Sequence, residues 1–113
     1  MTSIADILVV EDDPCIGSLL RDIFTLAGGA VRLAPTADQA SAQLQAARPA
    51  LITLDLNLPG MRGDELLAQV RVRPETRDIP VILITSQLPV QREVVSMAEA
   101  VVAKPFDLEE LLD

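Results

Sequence analysis

Five short apolar runs constrain this chain more than any other feature. They occupy residues 4–10, 30–34, 50–54, 81–84 and 100–103. Each has the length of a strand and is rich in Val, Ile, Leu or Ala, as expected of strands buried on both faces. Between them the spacing turns helical. Ile16, Leu19, Leu20, Ile23, Phe24 and Ala27 recur at helical intervals. Asp13-Pro14 supplies an N-cap and a Pro at the first helical position, and Gly28-Gly29 ends the helix.

The later segments repeat this grammar. Thr36 with Gln39 is a capping-box signature for a second helix, which buries Ala40, Leu44 and Ala47 and stops before Pro49. Residues 59–63 carry turn chemistry, after which Asp64 caps a helix bearing Leu66, Leu67 and Val70. Residues 74–80 form a polar connector. A short helix over 90–99 follows Pro89. Asp107 with Glu110 caps a last helix of about a turn and a half before Asp113.

Strands alternating with helices imply a parallel sheet covered on both faces, with right-handed crossovers. The economical arrangement is a doubly wound, flavodoxin-like α/β fold: a five-stranded parallel sheet of order 2-1-3-4-5 with a shortened helix four and a truncated helix five. The 113 residues fit one such domain, 1–113, with no internal repeat or linker. Phe24 and Phe106 are the only aromatics, so the core must be aliphatic.

Composition removes several function classes. The net charge is -8, which argues against direct contact with nucleic acid or an anionic membrane and suits a cationic partner or a metal cation. Cys15 is the only cysteine. It reads as a small buried hydrophobe, and a free thiol agrees with a reducing cytosol. No leader pattern and no membrane-length apolar run is present, so the expected location is cytoplasmic. No His occurs, which removes the common zinc sites and Ser-His triads. Arg71, Arg73 and Arg77 read as solvated surface. Lys104 is the only Lys, against eight Arg. That contrast is either chance or the mark of a position needing a compact ammonium, which a planar guanidinium cannot replace.

In a sheet of this order, ligands bind at the carboxyl ends of the strands where the order reverses, between strands one and three. Strand one ends in Glu11-Asp12, strand three in Asp55, strand four in Thr85-Ser86 and strand five in Lys104-Pro105. Asp13 is assigned to helix capping. An acidic loop after strand one would repel a nucleotide phosphate. Carboxylates from two strands suit a hard divalent cation, and Mg²⁺ fits best because it takes one or two carboxylates, keeps waters and engages a phosphoryl group. Beside it Asp55 can act as a nucleophile toward phosphorus, with Lys104 and the Thr85 hydroxyl stabilising the transferring group.

LVVEDDP, ITLDLNLPGMRG, VILITS and VVAKPF occur in this order along the chain. Together they resemble the response-regulator receiver domain of two-component signalling, the chemotaxis-regulator family, over essentially the whole length. The resemblance implies a phosphorelay phosphoprotein rather than an enzyme, with at most self-phosphorylation and self-dephosphorylation at Asp55. Asp55 would accept phosphate from a partner histidine kinase or phosphotransfer protein. Glu11 and Asp12 would be the acidic pair for Mg²⁺, with Asp12 and Asp55 as direct ligands and Asn57 adding its backbone carbonyl. Thr85 and Lys104 would contact the phosphoryl oxygens, and Lys104-Pro105 would be a cis peptide. Helix four, strand five and helix five would form a signalling face and a possible homodimer surface.

The chain departs from the family pattern in definite places. Val101 stands where these domains usually carry an aromatic that rotates inward when the Thr engages phosphate. Ser86 replaces a common Ala, and Arg62 a common acidic residue. The 85–104 segment is short and lacks the Gly expected before strand five. These departures support an alternative reading, a non-switching receiver used as a constitutive interaction or dimerisation module. A small Mg²⁺-dependent phosphatase would need a general acid or base and a substrate pocket, and the sequence offers neither.

Overall fold

A computed structural model describes residues 6–60, 62–86 and 90–104. Along the chain run β1 (Asp6–Val10), α1 (Pro14–Leu26), β2 (Ala30–Ala34), α2 (Ala37–Ala46), β3 (Leu51–Leu54), α3 (Gly63–Val72), β4 (Val81–Thr85), α4 (Arg92–Ser96) and β5 (Ala100–Ala103). The strands form one parallel sheet in the order β2-β1-β3-β4-β5. This is the doubly wound α/β architecture expected from the alternating runs. The expected residues 4–5 of the first strand, the Lys104-Pro105 bond and the helix capped by Asp107 and Glu110 lie outside the described residues.

Strand periodicity explains why both faces are buried. Leu8 and Val10 point to one side with Ile52, Leu54 and Leu83, where Ala37 and Ala40 of α2 and Leu66, Leu67 and Val70 of α3 cover them. Ile7 and Val9 point to the other with Ile84 and Val102, under Leu20 and Phe24 of α1. No helix among the described residues is long and apolar enough to cross a membrane.

Local chemistry sets the helix ends. The Asp13 carboxylate accepts the N–H groups of Cys15 at 2.8 Å and Ile16 at 3.3 Å, and Pro14 opens α1. Gly28, at φ 99°, provides the left-handed turn that closes it. The Thr36 hydroxyl accepts the Gln39 N–H at 3.1 Å at the start of α2.

Several expectations are corrected. Cys15 is exposed, because the inward stripe of α1 centres on Leu20 and Phe24. Leu19 and Leu26 fall off that stripe and are 51% and 88% exposed, and Ala27 is exposed as well. Ala47 is the exposed C-cap of α2 and not a core residue. Asp64 does not cap α3: Gly63 has already entered the helix, and Asp64 sits in its first turn, paired to Arg62 at 3.2 Å. The polar connector conceals two anchors. Ile79 is fully buried, and the buried Thr76 hydroxyl donates to the Val70 carbonyl at 2.7 Å. The helix expected over 90–99 is shorter, five residues.

Arg71 is not solvated surface. Its Nε donates to the Met97 carbonyl at 2.7 Å, and its Nη1 to the carbonyls of Arg77 at 2.9 Å and Ile79 at 2.6 Å. Arg32 acts similarly at the other side of the sheet. It grips the Asp6 carboxylate through Nε at 3.1 Å and Nη2 at 2.9 Å, and donates to the carbonyls of Gln43 and Ala47, both at 3.1 Å. A guanidinium holds several acceptors in one fork, which an ammonium cannot. Positively charged donors also suit the carbonyl end of a helix.

Candidate functional site

The strand ladders run one residue past their assigned ends and thereby fix the site. The Glu11 N–H donates to the Ala34 carbonyl at 3.1 Å, Asp55 to Val10 at 3.0 Å, and Lys104 to Thr85 at 2.9 Å. Glu11, Asp55 and Lys104 therefore emerge at the same edge of the sheet, on backbone that cannot slide without breaking its pairing. A second constraint acts beneath Asp55. The Gly63 N–H donates to the Leu56 carbonyl at 3.0 Å. A Cβ on Gly63 would stand 2.6 Å from Leu56 Cα and closer still to the Asp55 carbonyl oxygen. The absence of a side chain at Gly63 lets α3 begin directly against the Asp55 backbone. The sequence marks Gly63 only as turn chemistry; its role as a spacer for Asp55 depends on a contact between segments.

The side chains then converge. One carboxylate oxygen from each of Glu11, Asp12 and Asp55 lies within 4.8 Å of the other two. Glu11 and Asp55 are each 6% exposed, while Asp12 faces solvent. The Lys104 ammonium donates to Glu11 Oε1 at 2.7 Å and to Asp55 Oδ2 at 3.2 Å. The Asn57 N–H donates to Asp55 Oδ1 at 3.0 Å, an Asx turn that orients the carboxylate. Thr85 ends β4, fully buried, with Ala103 opposite it in register. Glu11, Asp12, Asp55, Thr85 and Lys104 thus stand at one edge, with Asp13 at the helix cap; Pro105 lies outside the described residues.

The electrostatics are unbalanced. Among the described residues three carboxylates gather around one ammonium, so full ionisation leaves an excess of negative charge. Burial, and next the Asp55 carboxylate beside it, push the Glu11 carboxyl up to about 8. The Lys104 contact pulls the other way without prevailing. Burial also works to lower the Lys104 ammonium, but contact with Glu11 and the charges of Glu11 and Asp55 win and hold it above its ordinary value. Glu11 Oε2 is buried with no hydrogen-bond partner among the described residues. A hard divalent cation would relieve the charge excess and occupy an oxygen-only donor set, so the residues fit Mg²⁺.

Comparison with known proteins agrees with this geometry. The response regulator receiver domain pattern matches residues 7–113. The chain is 37% identical over 109 residues to the phosphate regulon transcriptional regulatory protein PhoB of Rhizobium meliloti, covering 94% of this chain and 48% of that one. It is 35% identical to the DNA-binding dual master transcriptional regulator RpaA of Synechocystis, covering 94% of this chain and 45% of that one. The chain thus spans about half the length of these curated relatives. Among solved structures, the chemotaxis response regulator CheY4 of Vibrio cholerae superposes with a TM-score of 0.89 at 29% identity, covering 97% of this chain and 94% of that one. A putative response regulator from Chloroflexus aurantiacus gives 0.87 at 29% identity, covering 97% and 93%. A sheet of the same order, acids and a lysine gathered at its carboxyl edge, and a pattern match across nearly the whole length lead to one conclusion: the chain belongs to the response regulator receiver domain family of two-component systems.

Proposed function

We propose that this domain accepts a phosphoryl group on Asp55 from a phosphohistidine of a partner histidine kinase or phosphotransfer protein. The observation that carries the reading is the Lys104 ammonium bridging Glu11 and Asp55 at the strand ends. A carboxylate oxygen of Asp55 attacks phosphorus. A P–O bond forms as the P–N bond breaks, and the imidazole nitrogen leaves with the bonding pair, giving an acyl phosphate. The Asn57 N–H holds the carboxylate oriented for attack. Lys104 stands beside Asp55 Oδ2, ready to pair with an equatorial phosphoryl oxygen, and the Thr85 hydroxyl donates to another. Glu11, Asp12, Asp55 and the Asn57 backbone carbonyl would hold Mg²⁺, which when bound offsets charge on both the carboxylates and the phosphoryl group. The domain works in the cytoplasm, and its chemistry is confined to gain and loss of the Asp55 phosphoryl group.

The test is incubation with Mg²⁺ and a small phosphodonor such as acetyl phosphate, followed by intact-mass and peptide mapping. A phosphoryl mass increment on the peptide containing Asp55 is expected; its absence, together with failure to bind beryllofluoride, would sink the reading. A second reading keeps the site but not the switch, with the domain serving as a constitutive interaction or dimerisation module. Val101 in place of an aromatic and an α4 of five residues favour it. NMR shifts confined to the loops around Asp55 upon phosphorylation would support that second reading, and shifts reaching β4 and β5 the first.

Cation binding should depend on pH in a defined direction. Glu11, held at about 8 without metal, carries a proton at pH 7 that a cation must expel. Mg²⁺ affinity should therefore rise as pH increases from 6 to 8 and level off above, in line with linkage. Calorimetric titration at pH 7 in buffers of different ionisation enthalpy should show up to about one proton released per Mg²⁺. Binding independent of buffer and pH would contradict this account of Glu11.

A further inference from the structure

We infer that α3, ending in the Arg71 clamp, carries the state of Asp55 to α4 and the start of β5. This inference rests on the phosphoacceptor reading above. At one end, α3 begins against the Asp55 and Leu56 backbone, with no room even for a Cβ at Gly63 and with the Gly63 N–H tied to the Leu56 carbonyl. At the other end, eight residues and about 12 Å along the helix, Arg71 holds the carbonyls of Met97, Arg77 and Ile79. Met97 is the C-cap of α4. Two residues later the Glu99 N–H pairs with the Val81 carbonyl, leading directly into β5.

The sheet-facing side of the helix is anchored between these ends. Leu66, Leu67 and Val70 are buried in the same core cluster as Leu54, Leu56 and Val94, and Met97, Ala98 and Val101 pack against it. Close-packed interiors transmit a displacement and do not absorb it. A group added to Asp55 acts on the segment that α3 touches. A shift of α3 along its axis has to move the Arg71 fork, and with it the Met97 carbonyl. Val101 sits in register with Leu83 as a β-branched, partly buried residue, with few side-chain rotamers to change. A helix-and-clamp route needs no side chain to rotate.

The probe is beryllofluoride with Mg²⁺, followed by amide and arginine Nε–H NMR. In the wild-type protein, resonances of Asn57, Gly63, the Arg71 Nε–H and Met97 to Glu99 should all shift on addition. In Arg71→Gln, the Asn57, Gly63 and Lys104 amide shifts should persist, while those of Met97 to Glu99 fall to under a third of their wild-type size. Met97 to Glu99 shifts of wild-type size in the variant would overturn the route. An unmoved Arg71 Nε–H in wild-type protein would overturn it too, even if the variant does not fold. No shift anywhere, Asn57 and Lys104 included, would overturn the phosphoacceptor reading and this inference with it. Shifts around Asp55 with none at Arg71 would overturn the route alone.

Discussion

Asp55→Asn is expected to abolish adduct formation entirely and, in EDTA, to make the protein more stable than wild type. The loss follows from chemistry, since a neutral amide oxygen is not a nucleophile toward phosphorus at neutral pH. The gain follows from linkage. Glu11 is held at about 8 in the folded, metal-free domain, against 4.5 as its ordinary value, by burial first and Asp55 second. A raised carboxyl disfavours folding where the unfolded chain would be ionised. The penalty is absent below about pH 4.5, grows as pH rises toward 8, and is constant above. Asparagine removes the Asp55 part of that penalty and leaves the burial part. It also keeps an oxygen for the Asn57 N–H, and Lys104 keeps its shorter contact, to Glu11 at 2.7 Å. A tenfold change in Glu11 proton affinity corresponds to about 1.4 kcal/mol. The expected gain, net of the lost Lys104–Asp55 contact, is therefore largest at pH 8 and falls to nothing near pH 4, read as a rise in melting temperature. Thermal melts of both proteins across that range check it. A gain that is equal at pH 4 and pH 8 would contradict the electrostatic origin. A gain that grows with pH marks a site where function requires a charge excess that folding alone would reject.

Gly63→Ala is expected to damage stability and site together. The new methyl meets backbone atoms, which cannot turn aside as a flexible side chain can: Leu56 Cα at 2.6 Å and the Asp55 carbonyl nearer still. Either α3 or the Asp55–Leu56 segment must retreat. Overpacking of this kind costs about 3 kcal/mol, and a displacement near 1 Å at a nucleophile slows its reaction by about a hundredfold. Urea unfolding and the rate of phosphorylation by acetyl phosphate measure the two effects. Gly17→Ala supplies the contrast. Gly17 lies within α1, and a Cβ there meets nothing within 4 Å. The same substitution should stabilise that helix by about 0.5–1 kcal/mol and leave phosphorylation unchanged. Equal effects at the two glycines would refute the contact argument.

The strand ends were legible in the sequence because a parallel strand imposes a simple rule. It is a continuous apolar run, and where the run stops the chain emerges at the carboxyl edge. Glu11, Asp55, Thr85 and Lys104 could be assembled from that rule and the strand order alone. The Asp13 cap was equally legible, because its bonds reach only two and three residues along the chain. The exposure of Cys15 is not legible in the sequence, because one position on a helix is decided by how wide the buried stripe is, and the width depends on what packs against it. Asp64 falls inside the first turn because α3 starts where Gly63 meets Leu56, a contact that outweighs the usual capping preference of an Asp.

The arginines mark the boundary most clearly. Their number and the solitary Lys104 are visible in the sequence, and Lys104 is the one that reaches Glu11 and Asp55. The sequence alone determined the run pattern, the class of fold and which residue types arrive at the sheet edge, since these depend on periodicity and strand order. Only the tertiary structure decided that Arg71 is a clamp on three carbonyls, that Gly63 is the spacer beneath Asp55, and that burial pushes Glu11 up to about 8. Each of these depends on distances between segments far apart in the chain, and on how much water is excluded where they meet.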